Sequence, residues 1–192
     1  MTTAGVLLAA GASRRYGRDN KLTALLHGQP VICHAAQALR ESGVDILIAV
    51  THAPETKAHL HGFDIVAPNV TDPEHSDSLR RGVHRAKQLG AARLVVVLAD
   101  MPFVTPKLIN QVIAATSPTT PATATDGQNP SPPAGFPASY FDALLAITGD
   151  HGAGSVLASC PHTSFVQTSA AHLFDIDTPE ALRQAQAMRV EQ

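Results

Sequence analysis

Residues 94–99, Leu-Val-Val-Val-Leu-Ala, form an unbroken apolar run, closed by Arg93 on one side and Asp100 on the other. A strand without polar alternation has no face to give to water, so its sheet must be covered on both sides. Residues 5–10 (Gly-Val-Leu-Leu-Ala-Ala) repeat the pattern, and residues 45–50 and 63–67 read as two further strands. Helical stretches separate them. Val31 to Ser42 places Ile32, Ala35, Ala36 and Leu39 on one face, and Ala53 to Leu60 is a shorter helix. A third helix, which Ser76 or Asp77 can cap, runs to about Leu89, and a fourth opens at Pro106 and reaches about Ala115. Strand alternating with helix predicts an α/β fold of three layers around a mostly parallel, Rossmann-like sheet. With 192 residues, one such domain spanning 1–192 accounts for the chain.

The second half is less regular. Gly28-Gln29-Pro30 marks an early turn, and residues 116–133 have the Thr, Ser and Pro content of a linker. Within that stretch, the alternation Ala-Thr-Ala-Thr followed by Asp126-Gly127 predicts a hairpin at the sheet edge. A helix over Tyr140 to Ile147, a turn at 149–154 opening a short helix, and a strand over Thr163 to Gln167 follow. The final helix is capped by Thr178 ahead of Pro179.

The net charge of −2 argues against a general nucleic-acid binder. Charge is nonetheless concentrated: Arg14, Arg15, Arg18 and Lys21 fill one window, and Arg80, Arg81, Arg85 and Lys87 another, together eight of the fourteen lysines and arginines. Such clusters suit a small anion better than a long polyanion. Two cysteines, Cys33 and Cys160, are too few for a disulfide framework. The ten histidines are scattered and read as solvated surface residues. No charged leader precedes the first apolar run, which is too short to span a bilayer, so a cytoplasmic location is expected.

Doubly covered parallel sheets bind ligands at the carboxyl ends of their strands. There the 11–21 loop leaves the first strand and Asp100 leaves the 93–99 strand. Gly11 lets backbone N–H groups approach an anion, and the loop's arginines and Lys21 supply charge-assisted contacts; a solvated turn is the plainer reading. The loop lacks the Gly-Lys-Ser/Thr of a Walker loop, the Gly-x-Gly-x-x-Gly of a dinucleotide site and the second glycine of a nucleophile elbow. Arg15 and Lys21 are expected on its exposed surface. Asp100, followed by Pro102, is a rigid carboxylate suited to Mg²⁺, or else a cap for the helix near Pro106.

These motifs carry a resemblance. Leu-Ala-Ala-Gly-x-Ser-x-Arg-x-Gly followed by Asn20-Lys21-Leu22, and Leu-Ala-Asp-Met-Pro at 98–102, resemble the MobA-like NTP transferases, and within them the molybdenum cofactor cytidylyltransferases. Ser-Asp-Ser-Leu-Arg-Arg-Gly at 76–82, Gly-Asp-His-Gly-Ala-Gly at 149–154 and Asp-Ile-Asp-Thr-Pro-Glu-Ala-Leu at 175–182 extend it over nearly the whole chain. Gly154 stands where the family commonly has arginine, and Pro130-Ser131 replace a usual glycine and small polar residue.

The resemblance implies a nucleotidyltransferase fold with a nucleotide-binding N-terminal part and an acceptor-binding C-terminal part. It implies transfer of CMP from CTP to the terminal phosphate of a molybdopterin-type cofactor, with release of pyrophosphate and a client molybdoenzyme downstream. Ala9, Ala10, Gly11, Ser13, Arg15, Lys21, Ser76, Ser78 and Leu79 are then nucleotide contacts. Ser76 and Ser78 serve equally well as helix caps. Arg15, Lys21 and Asp100 are the catalytic set, and Asp100 with Asp175 or Asp177 holds Mg²⁺, although Asp177 also reads as a helix cap. Asp150 meets the acceptor or braces its turn. The Ala9-Ala10-Gly11 sequence matches cytidylyltransferases, whereas guanylyltransferase relatives carry a glycine pair. Alternatives are a sugar- or alcohol-phosphate nucleotidyltransferase and a non-catalytic carrier of the cofactor.

Overall fold

A computed structural model describes residues 1–11, 16, 20–68, 75–149 and 151–188. Strand β1 (Thr3–Leu8) is followed by a small hairpin of β2 (Leu25–Leu26) and β3 (Gln29–Pro30). Its turn falls on His27 and Gly28, both at positive φ, one residue earlier than the sequence signal. Then come α1 (Val31–Arg40), β4 (Ile46–Val50), α2 (Pro54–Lys57), β5 (Asp64–Val66), α3 (His75–Gln88), β6 (Arg93–Leu98) and α4 (Pro106–Ala115). The second half holds β7 (Ala122–Thr125), β8 (Pro130–Pro137), α5 (Phe141–Leu145), α6 (Ala153–Ser159), β9 (Ser164–Gln167) and α7 (Pro179–Ala187).

Seven strands form one sheet in the order β5-β4-β1-β6-β8-β7-β9. β5, β4, β1 and β6 are parallel, β8 is antiparallel to both of its neighbours, and β9 is parallel to β7. Only β8 runs against the others, so six strands present their carboxyl ends at one edge. Side-chain alternation divides the interior. Leu7, Ala49, Val95 and Val97 face one core with α1 and α4, while Val6, Ile48, Val50, Leu94 and Val96 face the other with α3, α5 and α6. This is the double covering that the apolar runs require.

Three expectations need correction. The β7–β8 hairpin is not at the edge, because β8 also pairs with β6 and β9 closes the far side of β7. Its turn chemistry holds: Asp126 Oδ1 accepts the N–H groups of Gln128 and Asn129, and Gly127 sits at φ 96°. A turn signal carries no information about what pairs outside it. Ser76 and Asp77 lie inside the first turn of α3, which begins at His75, so neither is the residue ahead of it. The second cation cluster is structural. Arg85 pairs with Asp64 at 2.7 Å, Lys87 with Asp142 at 2.7 Å and Arg80 with Asp77 at 3.6 Å, and Arg81 donates to the Ala67 carbonyl.

Gly82 of the Ser-Leu-x-x-Gly motif is explained by packing. In mid-helix, alanine would ordinarily gain about 1 kcal/mol over glycine. Here a Cβ would collide with the Val6 side chain of β1 and lie 3.3 Å from Val50 of β4. We expect Gly82→Ala to destabilise the protein by about 1–3 kcal/mol despite its helix propensity. Gly152→Ala, whose Cβ meets nothing within 4 Å, serves as the control. Urea midpoints for the two variants measure the difference.

Candidate functional site

The carboxyl edge of the sheet is assembled from three distant segments. β1 ends in register with β4 and β6, and the pairing continues past the strand ends: Ala9 N–H donates to Val50 O and Ala99 N–H to Leu8 O. Ala9 and Ala10 are buried, which leaves Gly11 as the exposed residue. A Cβ on Gly11 would meet nothing within 4 Å. The backbone there faces open space, as an anion-binding approach requires. Ser13 and Arg15 lie outside the described residues, and so does Asp150.

Lys21 is not on an exposed surface. Asn20 Oδ1 accepts the Leu22 N–H at 3.0 Å and caps a single 3₁₀ turn over Lys21–Thr23, and Leu22 is buried in the first core. This anchor turns the Lys21 side chain inward. Its Nζ donates to Asp100 Oδ2 at 2.6 Å and to Asp177 Oδ1 at 2.7 Å. The Lys21 side chain keeps only 10% of its exposure. Burial by itself would lower the lysine's pKa, but attraction and hydrogen bonding from Asp100 and Asp177 outweigh it, and the net shift is upward.

Asp177 reaches this position because the C-terminal segment is clipped to the end of β6. Ile176 is fully buried in the first core, and its N–H donates to the Asp100 carbonyl at 2.9 Å. The capping alternatives for both aspartates fall away. Thr105 Oγ1 accepts the Leu108 N–H at the start of α4, and Thr178 Oγ1 accepts the Ala181 N–H at the start of α7. Asp175 stands beside the pair, water-exposed on one side. Desolvation on the other side, then the charges of Asp177 and Asp100, push its carboxyl above the usual aspartate range.

Among the described residues, four buried side-chain polar atoms lack a hydrogen-bond partner: His52 Nδ1, Ser76 Oγ, Asp100 Oδ1 and Thr163 Oγ1. The first three lie at this edge, just past β4, in the first turn of α3 and just past β6. An orphaned buried group costs about 1–3 kcal/mol, so three at one edge mark a place built for a ligand. His52 was not legible in the sequence, where Thr-His-Ala reads as an ordinary surface turn. Ser76 N–H approaches the Gly149 carbonyl at 3.4 Å, which brings the 149–154 turn against the start of α3. Ser78 is buried beside it, and Leu79 is fully buried in the second core.

A cavity of about 170 Å³ opens between Leu8 and Leu98, the last residues of β1 and β6, and the 152–154 turn. Leu79, Ser131 and Pro132 complete its mostly apolar wall. No group of three or more His, Cys, Asp or Glu side chains among the described residues is placed to hold a metal ion. The available metal donor is the single orphaned oxygen of Asp100.

The family model described as MobA-like NTP transferase domain matches residues 5–165. The chain belongs to that family. It is therefore a nucleotidyltransferase, with the seven-stranded sheet expected of one. It is 28% identical over 190 residues to the purine catabolism protein PucB of Bacillus subtilis, covering 92% of each chain. It is also 28% identical over 134 residues to a molybdenum cofactor guanylyltransferase of Shewanella piezotolerans, covering 69% of this chain and 64% of that one. The solved structure of Rv0371c from Mycobacterium tuberculosis H37Rv superposes with a TM-score of 0.83 at 26% identity, covering 98% of this chain and all of the other. No helix among the described residues is long and apolar enough to cross a membrane.

Removing the Lys21 ammonium leaves two mostly buried carboxylates facing one another. We expect Lys21→Ala to cost about 3 kcal/mol of stability, toward the lower end for breaking a buried pair because both aspartates keep some water contact. Lys21's folded pKa lies above its ordinary 10.5, so the pairing stabilises the fold fully below that value and is lost as pH rises through the folded one. The stability gap between wild type and Lys21→Ala should therefore be constant near neutrality and shrink above pH 10.5. Urea titrations across that range check both points.

Proposed function

We propose that the chain transfers CMP from CTP to the terminal phosphate of a molybdopterin-type cofactor, releasing pyrophosphate, with Mg²⁺ as the metal. The observation that carries this reading is the Lys21–Asp100–Asp177 cluster at the carboxyl edge, next to an exposed Gly11 and an orphaned Asp100 oxygen. The molybdenum cofactor guanylyltransferase among its relatives supports the choice of acceptor.

In this reaction a phosphate oxygen of the acceptor attacks the α-phosphorus of CTP. The new P–O bond forms as the bond from the α-phosphorus to the oxygen bridging to Pβ breaks. A phosphate monoester has its second pKa near 6 and is largely dianionic at neutral pH, so no protein base has to remove a proton. The chain's contribution is position and charge. Backbone N–H groups at Gly11, with Ser13 and Arg15 of the same loop, take the triphosphate. Lys21 stabilises the charge that grows on departing pyrophosphate, and Ser76, Ser78 and Leu79 border the nucleoside. Asp150 and the cavity by the 152–154 turn serve the acceptor. Mg²⁺ takes one or two carboxylates and completes its shell with water and substrate phosphates, so Asp100 Oδ1 with Asp175 or Asp177 suits it without a protein cage. When bound, it neutralises charge on the phosphate oxygens.

Guanylyl transfer is the second reading, favoured by the name of the Shewanella relative. The argument for CTP rests on Ala10. Its methyl is buried in the same core as Leu79, which lines the cavity, and it narrows the strand end where glycine would leave room for a purine. The discrimination from one methyl is about 1–3 kcal/mol.

Two outcomes test the proposal. Asp100→Asn should lower pyrophosphate release by about a hundredfold or more, since an amide replaces a charged contact at the reacting phosphates. Given CTP and GTP in competition with a molybdopterin acceptor, wild type should consume CTP first, and Ala10→Gly should narrow the preference. Preferential use of GTP establishes the second reading, and transfer only to sugar phosphates removes the acceptor assignment.

A further inference from the structure

The Lys21 ammonium occupies the place where the acidic cluster would receive a metal. It lies 2.6 Å from Asp100 Oδ2 and 2.7 Å from Asp177 Oδ1, spending two of its three N–H donors on those carboxylates. A Mg²⁺ ion needs carboxylate oxygens at about 2.0–2.1 Å. An ion bridging the same two oxygens would stand against Nζ. An ion on the free Oδ1 of Asp100 would share one small carboxylate with a positive charge. Both arrangements set like charges in near contact inside a mostly dehydrated cluster.

We propose that Lys21 is the resident cation of this cluster and leaves Asp100 and Asp177 only when a nucleotide triphosphate offers its ammonium new partners, so that metal and nucleotide enter together. The proposal rests on the reading that triphosphate binds at this edge. The local architecture allows the exchange without unfolding. Leu22 and the Asn20 cap hold the backbone at Lys21, while the lysine's four-carbon stem can swing from carboxylate to phosphate. The same ammonium thus keeps the empty site neutral enough to fold and closes it to free metal. It also arrives at the phosphates already desolvated.

The test uses Mn²⁺ alone as the probe, followed by electron paramagnetic resonance on the whole chain without nucleotide. Lys21→Met should bind Mn²⁺ about tenfold or more tightly than wild type, the order expected when a neighbouring positive charge is removed. Adding Asp100→Asn to Lys21→Met should abolish that gain. Equal Mn²⁺ affinity in wild type and Lys21→Met overturns the exchange. Wild type supplies a second measurement that needs no variant to fold. With ¹³C-labelled lysine, the Lys21 ε-carbon resonance should stay in place on adding Mg²⁺ alone and move on adding Mg²⁺ with CTP or GTP. An equal shift with Mg²⁺ alone overturns the proposal. Pyrophosphate release, measured separately, reports on the transfer reaction and not on the exchange.

Discussion

A buried lysine has to be paired, and in this chain the pairing decides where three parts of the polypeptide meet. Asp100 comes from the end of β6, Asp177 from the segment before α7, and Lys21 from the turn that follows the opening loop. None of these segments is close to another in sequence. The Ile176–Asp100 backbone hydrogen bond and the burial of Leu22 and Ile176 hold the ends in place, and the ammonium joins them. Like charges on two aspartates would push the C-terminal segment off the sheet edge without it. The catalytic geometry and the docking of the last helix are therefore one structural problem with one solution.

The two cation clusters look alike in sequence and do different things. Those on α3 and its flank are neutralised by partners on other elements and fix the helix against the sheet. Lys21 sits where its partners belong to the reaction site. What separates them is the position of the acids: Asp64 and Asp142 lie on a central strand's outer neighbour and a covering helix, whereas Asp100 and Asp177 lie at the carboxyl edge.

Much of the fold was legible because its causes are local. Unbroken apolar runs announce strands covered on both faces, Pro106 and Pro179 open helices behind threonine caps, and Asp126-Gly127 makes a hairpin turn. Asp100 could be singled out because a charge at the end of a buried strand is conspicuous. The rest depends on separations that a sequence window does not span. The Lys21–Asp177 pair is 156 residues apart, so an inward-facing lysine looked like a loop lysine. The Arg85–Asp64 pair is 21 apart and Lys87–Asp142 is 55 apart, so structural cations looked like free ones. The placement of β9 outside β7, and the orphaned nitrogen of His52, exist only once the sheet is assembled.

The single reversed strand has a further consequence. Because β8 runs against its neighbours, the β7–β8 turn over residues 126–129 emerges at the same edge as the carboxyl ends of the other strands, and Pro130, Ser131 and Pro132 enter the cavity wall directly from it. Every other connection at that edge leads toward a helix or a capped turn that both cores depend on. This one joins two strands with no covering element between them. Chain length added there stays outside both cores, and doubling a flexible loop costs only about 0.6 kcal/mol in closure entropy. The architecture thus leaves one rim of the cavity free to change shape while the nucleotide half stays rigid.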